Sequence, residues 1–361
     1  MWVGSTSERG LHEVVLQVVG WSVNRVLAGH GGGSVDVALT HDGGVRVADY
    51  GPDGPSAADE DTGGRDLEAL LTRMSSDEGA GRHIAHVSRS GQAGLFVANV
   101  LSSRLTAEVR RGGTCRVQEY ARGVAAAQPA TTESMAGSRT VIAFWPDTEI
   151  FETTRCSFAV LAERLRQVAF LNRSLRISLT DERPAGGARE VSFRFPDGVR
   201  DFVAALDAET PGTHHPDIIA FEHEDPRMAG TMEVALLWSG SRRERIRGFA
   251  NSRATRQGGT HLDGFRDGVA AAVTEYARDR GLLTGDDAPR ADGINDGLTA
   301  VVSVKLDHLE YLGATQGLLG NSDVRGCVGD AVRRHLGSRL KEHPQHAAQV
   351  IDRILRNTHQ D

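Results

Sequence analysis

The sequence has few of the features that mark secreted, membrane-spanning or metal-binding proteins. Its three cysteines, Cys115, Cys156 and Cys327, are odd in number and far apart, which excludes a disulfide framework and a Cys-x-x-Cys metal pair. No apolar run approaches the roughly 18 residues that a membrane-spanning helix needs. The N-terminus lacks the basic start and apolar stretch of a signal peptide. We therefore expect a cytoplasmic protein with no metal site and no membrane association.

Aromatic residues are also scarce, and basic residues are fewer than acidic ones. Aromatic residues make up 5% of the 361 residues and apolar residues 39%, a composition typical of a soluble protein. Acidic residues outnumber basic ones by 48 to 41, which gives a net charge of −7. Such a chain lacks the overall positive field that draws nucleic-acid-binding proteins onto phosphate. Its length predicts two domains of ordinary size.

Hydrophobic spacing predicts a mixture of helices and strands. Apolar residues recur at helical intervals through residues 11–28, and Gly29 follows as a stop signal. Gln17, Trp21 and Arg25 are four residues apart, so they share another face of this helix. Alternating stretches further along the chain predict a mixed, largely antiparallel sheet with helices on one face.

Eight segments, in this order, resemble the N-terminal half of bacterial DNA gyrase B subunits. They are LHEVVLQVVGWSVNRVLAGH, VRVADYG, VANVLSSRL, FWPDTEIFE, LAERLRQVAFLN, QGGTHLDGFR, LTGDD and LTAVVSVK. The resemblance implies an α+β fold. A GHKL (Bergerat-type) α/β sandwich would occupy residues 1–198, and a transducer domain of the ribosomal-protein-S5-like α+β fold would occupy residues 199–361. It also implies that the Toprim domain and the N-terminal exchange arm are absent.

The first ATPase motif of the family is altered here. In the family, Glu-x-x-x-Asn on the first helix supplies the residue that polarises the attacking water and an oxygen ligand for magnesium. The matching positions hold Gln17 and Trp21. Glutamine cannot act as a base, and a positioned base contributes roughly 10²–10⁴-fold to a rate. An indole offers no oxygen to a cation that demands oxygen ligands.

The phosphate-binding motifs are altered as well. The last glycine of the family's Asp-x-Gly-x-Gly motif is replaced by Asp53, and in the glycine-rich loop only Gly94 clearly matches a family glycine. The transducer's Gln-x-Lys, whose lysine reaches the γ-phosphate in the family, aligns with Ala314 and Gln316. These losses predict that the chain does not hydrolyse ATP and does not bind Mg-ATP tightly.

Part of the former ATP site persists. Asp49, Thr140 and Arg116 match family positions around the adenine and the pocket mouth, a region that accepts aminocoumarin antibiotics in gyrases. Aromatic and apolar replacements predict a small-molecule site. We expect it to be lined by Gln17, Val18, Trp21, Arg25, Val47, Asp49, Tyr50, Pro52, Gly94, Phe96, Arg116, Thr140 and Ile142. Asp49, Arg116 and Tyr50 are the candidate catalytic residues.

Three functions fit this pattern, none of which needs a cofactor. In the first, the pocket is repurposed for an apolar, natural-product-like molecule, with cyclisation such as a [4+2] cycloaddition as the candidate chemistry. In the second, the chain is an immunity or decoy protein that binds a gyrase-directed antibiotic. In the third, it is a non-hydrolysing regulator that associates with a true gyrase or forms a homodimer, with no role in DNA cleavage. Large side chains that merely fill an unused cavity are the structural alternative.

Overall fold

The computed structural model describes residues 3–29, 32–50, 65–73, 84–88, 94–133, 137–209, 217–239, 243–283, 294–313 and 317–358. The chain divides into two compact units, and the main body of the second begins at Asp197. In the described ranges, no helix combines the length and apolar character needed to cross a bilayer. No group of three His, Cys, Asp or Glu side chains in these ranges is arranged to hold a metal ion.

The first unit is built on a mixed sheet of nine strands. They are β1 (Gly33–Leu39), β2 (Val45–Tyr50), β3 (Ser102–Arg111), β4 (Thr114–Ala121), β5 (Val124–Ala125), β6 (Ala130–Glu133), β7 (Arg139–Pro146), β8 (Leu175–Asp181) and β9 (Arg189–Phe193). The strand order is β5-β4-β3-β7-β2-β1-β8-β9, and β6 pairs with β4. The β1–β8 pairing is parallel, whereas β2 pairs antiparallel with both of its neighbours.

Four described helices belong to this unit. They are α1 (Glu8–Ala28), α2 (Arg65–Thr72), α3 (Gly94–Val100) and α4 (Phe158–Phe170). The apolar residues of α1, among them Val15, Val18 and Val19, are fully buried in one core with the valines of β1 and β2. This burial explains why α1 is straightforward to predict: its apolar positions follow the helical period. The structure extends the predicted helix by one turn, back to Glu8.

The second unit has a sheet in the order β10-β11-β15-β12-β13 and a small sheet in the order β14-β17-β16. The strands are β10 (Ile219–Asp225), β11 (Gly230–Trp238), β12 (Arg245–Ala250), β13 (Arg253–Ala254), β14 (Gly258–Gly259), β15 (Leu298–Leu306), β16 (Tyr311–Leu312) and β17 (Leu318–Leu319). The helices are α5 (Val199–Ala208), a 3₁₀ turn (Pro226–Met228), α6 (Thr260–Asp279), α7 (Ser322–Glu342) and α8 (Pro344–Thr358).

Helices α6 and α7 pack closely because glycine lies at their contact. A Cβ on Gly264 would lie 2.2 Å from the carbonyl oxygen of Arg325, and a Cβ on Gly268 would lie 2.6 Å from that of Gly329. At the start of α6, the fully buried His261 has its Nε2 2.9 Å from the Thr255 hydroxyl. Burial lowers the pKa of His261 to about 4, so this imidazole is neutral at physiological pH.

Candidate functional site

Four residues form one row across four adjacent strands of the first unit. Asp49 of β2 pairs with Thr140 of β7, Thr140 pairs with Val109 of β3, and Val109 pairs with Arg116 of β4. Directly paired residues point to the same face of a sheet. Because neighbouring strands lie about 4.8 Å apart, Arg116 is about 14 Å from Asp49 along this row. The row therefore places the predicted polar residues on one face, within reach of a single elongated ligand.

Beside the row, on the same face of the sheet, lies an apolar pair. Val47 of β2 pairs with Ile142 of β7, two residues along each strand from Asp49 and Thr140. Both side chains are fully buried, as is Val18 of α1. These three residues, predicted to line the site, are part of the core of the first unit. They give the site a rigid apolar base, and Asp49 adds a polar side chain to it from β2.

Asp49 is a buried carboxylate with incomplete hydrogen bonding. It is 2% exposed, and in the described part of the chain its Oδ2 has no hydrogen-bond partner. Burial raises the pKa of the Asp49 carboxyl to about 6, and the Arg25 guanidinium and the Ser22 hydroxyl oppose this rise. A charge removed from water without full pairing is costly. Asp49 can therefore act as a carboxylate or as a neutral carboxylic acid near neutral pH.

Arg25 lies between this carboxylate and an indole ring. Its Nε is 3.6 Å from Asp49 Oδ1, and its guanidinium carbon is 5.0 Å from the centre of the Trp21 ring. Trp21 and Arg25 are one turn apart on α1, which lets the guanidinium stack on the indole. The separation from Asp49 is that of an ion pair and is longer than a hydrogen bond. The Arg25 side chain keeps 37% of its surface exposed, so it remains partly hydrated.

Gln17 takes part in a chain of hydrogen bonds that the sequence analysis missed. Its Nε2 donates to the Ser88 hydroxyl at 3.0 Å, and that hydroxyl donates to Glu13 Oε2 at 3.0 Å. Glu13 is 7% exposed and lies one turn before Gln17 on α1. Glu13 lies four residues before Gln17, so helical spacing alone indicated that these two side chains share a face of α1. Nothing in the sequence indicates Ser88, which is 75 residues from Glu13.

The same face of α1 fixes residues 84–88 beside it. Asn24 donates from Nδ2 to the Ala85 carbonyl at 3.3 Å and accepts from the Ala85 amide at 2.8 Å. At Gly20, a Cβ would lie 3.3 Å from the Cβ of Val87. Arg164 of α4 donates to the Val87 carbonyl at 3.1 Å. The segment that leads towards the former glycine-rich loop is therefore held by side chains of two helices.

Tyr50 lies away from Asp49. Successive side chains of a strand point to opposite faces of the sheet. Tyr50 accordingly lies on the other face, where the guanidinium carbon of Arg139 is 5.1 Å from its ring centre. The structure therefore separates Tyr50 from Asp49, beside which it was expected to act.

The remaining predicted residues lie around the edge of the row. Arg116 is half-exposed, with its Nη2 3.8 Å from Glu68 Oε2 of α2. Beside it is a cavity of about 20 Å³, room for about one water molecule. Phe96 of α3 packs partly buried against the core, and Gly94 begins that helix with a φ of +62°, which favours glycine. Pro52 lies outside the described residues, as do Asp53, the loop residues 89–93, Ala314 and Gln316.

Sequence comparison relates the whole chain to gyrase B proteins. Residues 198–361 match the family model for DNA gyrase B. The chain is 38% identical to the DNA gyrase B protein of Streptomyces coelicolor, over 99% of this chain and 55% of that protein. It is 34% and 35% identical to the novobiocin-sensitive and novobiocin-resistant gyrase B proteins of Streptomyces niveus, over 98% of this chain and 55% and 54% of those proteins. The chain thus spans about half the length of these relatives.

Solved structures show the same fold. The 43K ATPase domain of Thermus thermophilus gyrase B, solved with an aminocoumarin, has a TM-score of 0.79 and 27% identity, covering 99% of this chain and 91% of that one. The gyrase B protein of Myxococcus xanthus has a TM-score of 0.78 and 22% identity, covering 98% and 96%. The α+β fold is thus that of a GHKL sandwich followed by a transducer domain. The chain is thus similar, over nearly its whole length, to the N-terminal ATPase and transducer region of DNA gyrase B proteins.

Proposed function

We propose that this chain does not hydrolyse ATP and that its former ATP site binds an apolar small molecule. The carrying observation is the arrangement of Trp21, Arg25 and Asp49. The indole occupies the position of the family's magnesium ligand, and Arg25 stacks on it while pairing with Asp49. Gln17, at the position of the family's catalytic glutamate, uses its amide to contact Ser88. Neither position of α1 supplies a carboxylate to a water molecule or to magnesium.

The composition of the site supports small-molecule binding. Fully buried aliphatic side chains, one aromatic ring and a few polar groups are the usual lining of such sites. The buried carboxylate of Asp49 is evidence against the alternative that large side chains merely fill an unused cavity. Its pKa of about 6 implies that keeping the charged carboxylate at neutral pH costs the fold roughly 3 kcal/mol. A neutral side chain would fill an unused cavity without that cost, so retention of the carboxylate favours a ligand.

The raised pKa of Asp49 also favours a catalytic form of this proposal. A carboxyl group with a pKa of about 6 is partly protonated at neutral pH and can donate to a ligand carbonyl. Arg116, on the same row, can polarise a second group at the far end of the ligand. An apolar site that holds a flexible polyene in its reactive conformer contributes up to about 7–11 kcal/mol without a cofactor. Cofactor-independent cyclisation, such as a [4+2] cycloaddition, is a reaction that such a site could accelerate in this way.

Antibiotic sequestration is the second candidate. Asp49, Thr140 and Arg116 occupy one row. The relatives include novobiocin-sensitive and novobiocin-resistant gyrase B proteins, and a similar ATPase domain was solved with an aminocoumarin. Such a protein binds the antibiotic without converting it. Association with a true gyrase is a third candidate, favoured by the match of residues 198–361 to the gyrase B model.

Titration of intrinsic tryptophan fluorescence tests the proposal. We expect no saturable response and no phosphate release with millimolar Mg-ATP, and a saturable response to novobiocin or to members of a polyene and polyketide panel. Trp21→Phe should remove the response. Trp145→Phe is the matched control, because Trp145 also lies beneath an arginine, with the Arg104 guanidinium carbon 3.7 Å from its ring centre. Phosphate release at a gyrase-like rate would overturn the proposal.

Product analysis separates cyclisation from sequestration, and inhibition of a purified gyrase would favour the regulator.

A further inference from the structure

A polar cavity, here called the α6–α7 cavity, lies on the surface of the second unit between these two helices. It is lined by Glu275 of α6 and six residues of α7: Asp330, Arg333, Arg334, Gly337, Ser338 and Lys341. Its volume is about 330 Å³, which is within the range of small-molecule sites. The described lining contains no apolar side chain, so its chemistry suits a charged or hydroxylated ligand.

A glycine in the middle of α7 opens the helix backbone to this cavity. The helical period places Arg334, Ser338 and Lys341 on one face of α7, around Gly337. A Cβ on Gly337 would meet no described atom within 4 Å, so close packing does not require a glycine there. Glycine inside a helix is destabilising, and it is typical of places where a ligand approaches the backbone closely.

The cations of the cavity are only partly compensated by carboxylates. Arg333 pairs with Glu275 across the two helices, and Lys341 Nζ is 3.4 Å from Asp279 Oδ2. Ion pairs of such exposed side chains contribute little to stability, so a ligand can replace them at small cost. Arg334 is exposed and forms no salt bridge in the described part of the chain. The cavity therefore has positive charge available for an anionic group.

We infer that the α6–α7 cavity binds a phosphorylated sugar or polyol. The phosphate accepts hydrogen bonds from the Arg334 guanidinium, the Ser338 hydroxyl and the Lys341 ammonium group. The ligand hydroxyls donate to the carboxylates of Glu275 and Asp330. The proposed function concerns another site, so either can hold without the other.

Charge and size exclude the other simple classes of ligand. An ammonium ligand would meet three cationic side chains. A phosphate polymer would bring successive negative charges against Glu275 and Asp330, whereas a sugar phosphate places hydroxyls there. A phosphate has three terminal acceptor oxygens and nearly two negative charges, which match the three donors on the face of α7 better than a planar carboxylate does.

Calorimetry on the full chain with ribose 5-phosphate, ribose and inorganic phosphate tests this inference. We expect ribose 5-phosphate to bind saturably, and about 10–100-fold more tightly than ribose or phosphate, because each of these lacks charge-assisted hydrogen bonds that the whole molecule makes. Gly337→Leu should remove binding, because its side chain enters the cavity without meeting another part of the described chain. Gly326→Leu is the matched control. Gly326 also lies on α7 with open space at its Cβ, but outside the lining.

Arg334→Gln should weaken binding of ribose 5-phosphate by about 10–100-fold, as the loss of one charge-assisted hydrogen bond predicts. Arg247→Gln removes an exposed arginine of β12 outside the cavity and should leave binding unchanged. The inference is overturned if ribose 5-phosphate, glucose 6-phosphate and glycerol 3-phosphate bind no more tightly than inorganic phosphate. It is also overturned if either Gly337→Leu or Arg334→Gln binds like the wild type while circular dichroism shows it folded. Tighter binding of a short oligo-dT that Gly337→Leu abolishes would identify a nucleic-acid surface instead.

Discussion

Replacing Asp49 with asparagine should stabilise the first unit at neutral and alkaline pH. In the folded chain, burial raises the pKa of this carboxyl from 3.8 to about 6, despite the nearby Arg25. The unfolded chain therefore ionises Asp49 at lower pH than the folded chain does. As pH rises from about 4 to about 6, the folded state loses stability relative to a chain with a neutral side chain at this position.

The size of the effect follows from the shift in pKa. A shift of about 2 pH units corresponds to about 3 kcal/mol at most, at 1.36 kcal/mol per unit. Asparagine has nearly the same volume, and Arg25 keeps enough exposed surface to hydrate once its partner is gone. We therefore expect Asp49→Asn to raise the free energy of unfolding by about 1–3 kcal/mol above pH 6. Below pH 4 the gain should vanish, because Asp49 is protonated in both states.

Urea unfolding of the full chain at pH 4, 6 and 8, followed by fluorescence, measures this difference. Asp181→Asn is the control, because Asp181 also faces an arginine in the first unit but is fully hydrogen-bonded. Arg183 donates to its two oxygens at 2.6 and 2.8 Å and holds the pKa of the carboxyl below its usual value. That variant should lose stability at pH 8. The reasoning is refuted if Asp49→Asn is less stable than the wild type at pH 8, or if its gain is the same at pH 4.

Three further results are expected. Asn24→Ala should cost about 1–3 kcal/mol and speed exchange of the Ala85 amide, because that amide loses its partner; unchanged exchange would contradict this. Gly94→Ala should cost about 1–2 kcal/mol in urea unfolding because of its φ of +62°, and an equal stability would contradict this. Relative to His261→Gln, the wild type should lose up to about 3 kcal/mol as pH falls from 6.5 to 4, because His261 is buried in its neutral form. Comparison with the variant separates this loss from the opposite change at Asp49, and the same pH dependence in both proteins would exclude His261 as a cause.

Local pattern predicted the parts of the site that lie on one element. The four-residue spacing of Gln17, Trp21 and Arg25 follows from the helical period, and the structure has all three on α1. The same period indicates Glu13, which lies four residues before Gln17 but outside the altered motif. Strand alternation would likewise have separated Tyr50 from Asp49. Tyr50 and Asp49 are adjacent in the motif, but their side chains are not adjacent in space.

Contacts between distant segments were beyond the reach of the sequence. Arg25 and Asp49 meet because α1 packs on β2, and Ser88 meets Glu13 because residues 84–88 lie along α1. The pKa of Asp49 depends on burial, which no local pattern specifies.

The sequence by itself determined the resemblance to gyrase B proteins, the order of helices and strands, and the exchange of the motif residues, because these are properties of residue type and spacing. Only the tertiary structure decided that Arg25 pairs with Asp49 and that Asp49, Thr140 and Arg116 form one row. The physical reason is that strand register and helix docking bring together side chains far apart in the chain. Burial then sets the cost of each charge.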